Sequence, residues 1–224
     1  MRTKTITGMA VAAAMVLSVG AAQAAWVQWT GPGATGNWYR LVEDSTSGWT
    51  AARARAQTEF GGDLATITSA GEQLFVNSAL FGGSSPFNET LRGSWWLGGT
   101  DAESEGTWTW VTGEPWSFTN WGSGQPDNNS SFPFGDANGE DYLQLVWRPD
   151  PTSPLPGGWN DAREAGYLAS DPNFANLPNL WLKGFIVERT TDPNPRPEPI
   201  PAPAALPLFA VALLGLAAAG LRRA

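Results

Sequence analysis

Polar and apolar residues alternate over short stretches in most of this chain, and a helical spacing shows in only two places. Trp26 to Val42 reads as two short strands around the turn Gly31-Pro32-Gly33, the second running from Asn37 to Val42. Thr50 to Phe60 carries Ala52, Ala56 and Phe60 on one face and Arg53 and Arg55 outside it, which predicts an amphipathic helix ended by Gly61-Gly62. Asp63 to Ile67 is a short strand. Ser69 followed by Glu72 forms a capping box that opens a second helix through Leu80. Beyond a loop at Gly82 to Asn88, the apolar block Trp95-Trp96-Leu97-Gly98-Gly99 predicts a buried strand. Thr107 to Val111 alternates with Trp108 and Trp110 on one side. Tyr142 to Trp147 and Leu182 to Glu188 complete the strands, with a Pro-rich turn at Pro149 to Gly158 and an irregular segment from Ala162 to Trp181.

The region between the fourth and last strands changes the picture. Glu114 to Gly139 is a long loop rich in Gly, Pro, Asn and Ser, and loops of that length in a compact domain are functional or disordered. From Asn120 to Asp161 the chain presents Gln125-Pro126-Asp127, then Gly139-Glu140-Asp141, then Trp159-Asn160-Asp161. Each motif delivers side-chain oxygens. Calcium takes roughly 6–8 oxygen ligands from carboxylates, amide carbonyls and water, so the side-chain oxygens of these three motifs, Asp141 included, suggest a Ca2+ site. An amide beside an acid also brings an NH₂ donor that can meet a ligand hydroxyl while its C=O faces the cation. That is suited to holding a sugar diol. Asn, Asp and Gly also populate turns for local reasons, so turn formation is the alternative for each residue taken singly.

Composition narrows the chemistry. The 224 residues contain no Cys and no His, which removes thiol nucleophiles, disulfides, Cys/His zinc sites and the Ser-His-Asp triad. The net charge is −8 although Arg2, Lys4, Arg222 and Arg223 lie in the termini, so the remainder is more acidic still and no nucleic acid is expected as a partner. The 13 Trp residues can serve as core or as platforms for sugar faces. Paired carboxylates such as Asp136 and Glu140 are the groups that glycoside hydrolysis uses, but nothing in the sequence sets their separation. The expectation is a binding module and not an enzyme.

The termini carry targeting features. Residues 1–24 have a basic start, the apolar run Met9 to Val19 and a small-residue site at Ala22-Gln23-Ala24, as in a secretory signal peptide. Residues 190–204 form a polar, Pro-rich linker. Residues 205–224 comprise the apolar run Ala205 to Leu221 followed by Arg222-Arg223, expected to be a transmembrane helix with a cytoplasmic basic tail. A globular domain at residues 25–189 is left between them.

From Gly36 to Glu188 the order of features resembles a C-type lectin-like domain. The family's Trp-Ile-Gly-Leu strand appears as Trp96-Leu97-Gly98-Gly99, its loop motif as Gln125-Pro126-Asp127, and its late strand motif as Trp159-Asn160-Asp161. The resemblance implies an α+β fold of the C-type lectin-like kind: two helices plus antiparallel sheets and a long calcium-binding loop region. It implies a cis peptide before Pro126, which X–Pro bonds tolerate. It implies that Gln125, Asp127, Glu140 and Asn160 contact both cation and sugar, with Asp161 completing the metal set. In relatives a Gln-Pro-Asp loop accompanies galactose-type ligands and an aromatic residue stacked on the sugar, for which Phe132 and Phe134 are the candidates. It also implies an auxiliary calcium site at Asp101, Glu105, Asn128 and Asp141. Asn120 and Trp121 would position the loop and fill the core. The family's cysteines are absent here, and Ala162 to Trp181 is longer than the usual closing turn.

The C-terminal segment resembles a PEP-CTERM sorting signal of the Val-Pro-Leu-Pro-Ala type, read here as Ile200-Pro201-Ala202-Pro203-Ala204. This implies processing by an exosortase-type transpeptidase in a Gram-negative bacterium, transient inner-membrane anchoring, and release to the cell surface or an extracellular exopolysaccharide (biofilm) matrix. The combined expectation is secreted, calcium-dependent carbohydrate binding. The alternative is a structural or protein-binding domain in which calcium only orders the loop.

Overall fold

The computed structural model describes residues 25–83, 88–135, 138–148 and 155–194. The chain divides into a unit ending at Pro193 and a second unit from Asn194. The expected signal peptide, the sorting motif and the terminal helix lie outside the described residues. Among the described residues no helix is long and apolar enough to cross a membrane.

Among the described residues, eight strands and two α-helices make up the first unit. The strands are β1 (Val27–Gln28), β2 (Trp38–Glu43), β3 (Asp63–Leu64), β4 (Gly93–Thr100), β5 (Thr109–Trp110), β6 (Tyr142–Trp147), β7 (Gly158–Ala162) and β8 (Leu182–Arg189). The helices are α1 (Trp49–Phe60) and α2 (Ala70–Phe81). The sheet order is β1-β2-β8-β4-β6-β7, with β3 on β8 and β5 on β4. The α+β class expected for a C-type lectin-like fold is the one observed. The sheet is mixed, because β4 and β8 run parallel while the other pairs are antiparallel. The last strand enters between β2 and β4, so the two ends of the domain are paired with each other.

Helix ends follow the expected chemistry with one variation. Gly61 and Gly82 adopt left-handed φ of 64° and 77° at the C-caps. Ser69 accepts the Glu72 amide, as a capping box requires, but the Glu72 carboxylate accepts from the Thr68 amide (2.8 Å) and hydroxyl (3.0 Å). The reciprocal half of the box is thus moved one residue upstream.

Alternation along β4 feeds both sides of the sheet. Trp95 and Leu97 enter a core with Val76 and Phe81 of α2 and with Leu143, Leu145 and Trp147 of β6. Trp96 enters the other core with Trp49, Ala52, Ala56 and Phe60 of α1 and with Phe185 and Val187 of β8. Gly98 is required by proximity: a Cβ there would lie 2.6 Å from the Leu64 carbonyl oxygen. Trp95, Trp96, Trp108, Trp110, Trp147 and Trp159 are buried core residues. Trp159 packs edge-on against Trp110 and Trp121, and Trp116 packs at a tilt against both Trp108 and Trp110. Burying such aromatic surface stabilises at roughly 25 cal/mol per Å². This is how a cysteine-free domain holds its sheet.

One acidic cluster is internal. Asn37 Nδ2 (2.6 Å), Tyr39 Oη (2.9 Å) and the Thr66 amide (2.8 Å) converge on Glu188, and Tyr39 also reaches Glu72. A phenol has a single proton to donate, so its contact with both carboxylates is satisfied when one of them is protonated. Burial pushes Glu188 up to about 7, against the lowering pull of the Thr66 amide, and the Glu72 charge adds to the rise. The cluster ties α2 to β2 and β8.

Candidate functional site

The long loop is anchored before it reaches the candidate ligands. Asn120 is fully buried, and its amide donates to the carbonyls of Leu155 (3.3 Å) and Gly157 (3.1 Å) and accepts the Leu155 amide (3.0 Å). Its own carbonyl accepts from Trp159, and Gly122 donates back to Trp159, which stitches the loop entrance to β7. Trp121 packs against Trp159. Asn120 holds the loop entrance as expected, and Trp121 is half-buried and packs against the core from its margin. Beyond them the Gln125–Pro126 peptide is cis, as the resemblance implied, and so is Phe132–Pro133.

Three carboxylates then converge from three places in the chain. Ligand oxygens of Asp127 from the loop, Glu140 from the start of the return and Asp161 from β7 lie within 4.8 Å of one another. Backbone amides hold two of them. The amides of Asp127 (3.2 Å) and Asn128 (2.7 Å) donate to Asp161, and the Asn129 amide (3.0 Å) donates to Glu140. Asn128 sits in the left-handed region at φ 41°, which Asn tolerates, and its Oδ1 accepts the Glu140 amide (2.9 Å). The Tyr167 hydroxyl donates to Glu140.

The electrostatics follow from burial. Glu140 is 2% exposed and Asp161 fully buried, while Asp127 is exposed. Burial pushes Glu140 up to about 8 against the lowering effect of the Tyr167 and Asn129 bonds, and the neighbouring Asp161 charge adds to the rise. Burial likewise pushes Asp161 up to about 6, opposed by the amides of Asn128 and Asp127. Closely spaced acids that resist ionisation are stabilised as anions by a cation among them.

Gln125 supplies a further test of fit. Its Oε1 is buried and has no hydrogen-bond partner, and Gln125 lines the same cleft as Asp127, Glu140 and Asn160. Buried amide oxygens are nearly always satisfied. An unsatisfied one beside three carboxylates has the donor chemistry of a hard-cation ligand. The described residues therefore fit calcium.

The other expected residues are distributed less evenly. Asn160 lines the cleft, and its Nδ2 donates to the Asp161 carbonyl. Phe134 lines the cleft and packs against Tyr167 and Phe174, whereas Phe132 is 77% exposed. Of the auxiliary set, Asp101 is buried, accepts the Gly106 amide (2.9 Å) through one oxygen and leaves the other, Oδ1, without a partner. Burial raises its pKa, with Glu105 and Asp141 contributing. Asn128 instead faces Glu140. Among the described residues, Asp101, Glu105 and Asp141 do not join the group of converging carboxylates. Asp136 lies outside the described residues.

Sequence reasoning did not find Tyr167 or the cleft. Tyr167 comes from the irregular segment after β7, and its ring packs on Phe174 of the 3₁₀ turn Pro172–Phe174. Its carbonyl accepts the Leu182 amide (2.7 Å), which fixes the segment to the start of β8. The unusual length of Ala162 to Trp181 was the one signal, and it carried no information on direction.

Gly139 gives a test of the local geometry. It has φ 91°, and a Cβ would lie 1.9 Å from Asn128 Oδ1. Gly139→Ala is expected to displace Asn128 from the Glu140 amide, to destabilise the domain by about 1–3 kcal/mol and to weaken calcium binding. Urea unfolding and a calcium titration measure the two effects; an unchanged calcium affinity would remove Asn128 from the support of the site.

Comparison with known proteins gives partial matches. Residues 45–137 match the family described as Lectin C-type domain. That is less than half of the chain. It includes Gln125 and Asp127 but stops before Glu140, Asn160 and Asp161. Human C-type mannose receptor 2 is 35% identical over 96 residues, 43% of this chain but 6% of the receptor. The galactose-specific lectin nattectin of Thalassophryne nattereri is 36% identical over 81 residues, 36% of this chain and 47% of that protein. The matched segments thus span less than half the length of these relatives. Among solved structures, the mouse scavenger receptor C-type lectin carbohydrate-recognition domain aligns with a TM-score of 0.49 at 24% identity, covering 75% of this chain and 94% of that one.

Proposed function

We propose that the domain binds carbohydrate through a calcium ion held by Gln125, Asp127, Glu140, Asn160 and Asp161. The observation that carries this reading is the convergence of three carboxylates within 4.8 Å beside the unpartnered Gln125 oxygen. A bound calcium ion would supply coordination positions for sugar hydroxyls. The chain's own part is to orient the groups around that point. Gln125 and Asn160 each carry an NH₂ able to donate to a hydroxyl, and Asp127 carries acceptor oxygens on the open side of the cleft. Phe134 offers an apolar face to the sugar ring. The Gln-Pro-Asp order and the similarity to a galactose-specific lectin favour galactose-type ligands.

No catalytic role is assigned. The chain's termini fit secretion, membrane anchoring by the terminal helix, sorting by an exosortase-type partner and delivery to the surface or exopolysaccharide matrix of a Gram-negative cell. The auxiliary set Asp101, Glu105, Asn128 and Asp141 is kept as a weaker second calcium site, on the strength of the unpartnered Asp101 oxygen. The domain at residues 25–189 passed over immobilised galactose in calcium is expected to be retained and then released by EDTA. A second reading has its own support: backbone amides and Tyr167 already satisfy much of Glu140 and Asp161, as they would if calcium only ordered the loop. Calcium-dependent melting with no retention on any glycan would favour that reading and sink the first.

A further inference from the structure

The Glu140 carboxylate is held from two sides. The Asn129 amide donates to Oε2 (3.0 Å), and the Tyr167 hydroxyl donates to Oε1. The Asn160 side chain hydrogen-bonds the same phenol. Tyr167 thus touches two of the residues assigned to calcium. An ionised carboxylate offers about four lone-pair positions on its two oxygens, so each oxygen keeps room for a cation while both are held. Glu140 therefore meets a cation in a fixed direction, without the rotamer freedom that binding would otherwise have to freeze.

The phenol is itself anchored. Tyr167 is buried, its ring centroid lies 5.0 Å from that of Phe174 and 6.3 Å from that of Phe134, and its backbone carbonyl accepts the Leu182 amide (2.7 Å). Phe174 is fixed in turn. Its carbonyl accepts Trp181 Nε1 (2.7 Å), and the Arg163 guanidinium lies 5.1 Å from its ring centroid. Arg163 also donates to the Gly166 carbonyl (3.2 Å) and pairs with Asp171 at 3.5 Å. Asp171 accepts the Asn173 amide (2.9 Å) and so caps the turn that carries Phe174. Residues 163–181 add no strand to the sheet. What they deliver is an anchored hydroxyl behind the acids, from a part of the chain 27 residues away from Glu140.

We propose that Tyr167 is a positioning residue for calcium: it holds Glu140 and Asn160 in place at the cleft, and residues 163–181 are the support that holds Tyr167. The inference rests on the calcium site proposed above and is independent of which sugar, if any, the ion receives. Removing a partner that orients a metal ligand costs roughly 10–100-fold in metal affinity, and an effect of that size is assigned to this hydroxyl.

Tyr167→Phe removes the hydroxyl and keeps the ring. Calorimetric titration with calcium is expected to show an affinity at least about tenfold below that of the wild-type protein. Terbium, which also prefers oxygen ligands, serves as a second probe, because its luminescence lifetimes in H₂O and D₂O count the waters on the ion. That count is expected to rise by about one in Tyr167→Phe, as a carboxylate that is no longer aimed yields its position to water. A hydroxyl that served only the fold would lower the melting temperature in EDTA and leave both probes unmoved. Phe174→Leu keeps the hydroxyl but loosens the ring it rests on. Its calcium affinity is expected to fall by a smaller factor, and it carries the test if Tyr167→Phe does not fold. Unchanged calcium affinity in folded Tyr167→Phe or in Phe174→Leu, or a loss of affinity with no added water on terbium, overturns the positioning role while the calcium site stands. Failure of the wild-type protein to bind calcium overturns the site and the positioning role together.

Discussion

Millimolar calcium is expected to raise the melting temperature of the domain by about 5–10 °C, and Glu140→Gln to remove most of that rise. Calcium present at a hundredfold excess over its dissociation constant stabilises a native state by about 2.7 kcal/mol. A domain of this size gains roughly 2–4 °C per kcal/mol. Glu140 is the informative substitution because it is buried, accepts from Asn129 and Tyr167, and lies between Asp127 and Asp161. Gln preserves its shape: its oxygen can still accept the Asn129 amide, while its NH₂ can donate to the Tyr167 hydroxyl in a reversed bond. What it removes is the charge that a cation requires. The metal-free variant should therefore fold as well as the parent and at alkaline pH better, since a buried amide is less costly than a carboxylate whose ionisation burial opposes. A calcium shift of the parent's size in Glu140→Gln would mean that the ion binds elsewhere. Asp127→Asn is predicted to be milder for stability, because Asp127 is exposed, yet comparable for calcium.

How far the sequence foretold this site depends on whether a feature is local. The helices were legible because caps and stripes are local: Ser69 with Glu72, and Ala52, Ala56 and Phe60 one turn apart. β6 was legible from its alternation, and the loop ligands from short motifs whose order carries the resemblance. Features set by distant partners were not legible. The strand read at Thr107 to Val111 pairs only at Thr109–Trp110, because its tryptophans are committed to the cluster around Trp159. The strand read at Asp63 to Ile67 pairs only at its first two residues. Ile67 is buried in the core, and Thr66 gives its amide to Glu188. The parallel pairing of β4 and β8 joins residues far apart in sequence. The same is true of Tyr167 on Glu140 and of the cleft that brings the loop together with β7. Trp residues offered two readings, and burial chose the core for Trp95, Trp96, Trp147 and Trp159.

Calcium should cancel the pH dependence that Glu140 and Asp161 give the metal-free protein. Without calcium, Glu140 titrates near 8 and Asp161 near 6 in the folded chain, against about 4.3 and 3.9 in an unfolded one. Raised folded values mean that the native state binds more protons than the unfolded state between pH 4 and pH 8. Stability must then fall as pH rises through that window. At about 1.4 kcal/mol for each tenfold change in proton affinity, the two shifts together bound the loss at roughly 8 kcal/mol. Glu188, raised to about 7 by its own burial, pulls in the same direction. Calcium competes with protons for Glu140 and Asp161 but not for Glu188. Its binding should release protons near neutrality, and its affinity should climb with pH until Glu140 is fully ionised. Melting curves taken from pH 5 to pH 8.5 in EDTA should therefore decline with pH. The calcium increment, measured as the difference from a matched series in millimolar calcium, should grow over the same range. Calorimetry in two buffers of different ionisation enthalpy counts the protons released. A calcium affinity that is flat from pH 5.5 to pH 8 would show that Glu140 and Asp161 are already ionised in the metal-free protein, and would remove burial as the device that keeps this site protonated until a cation arrives.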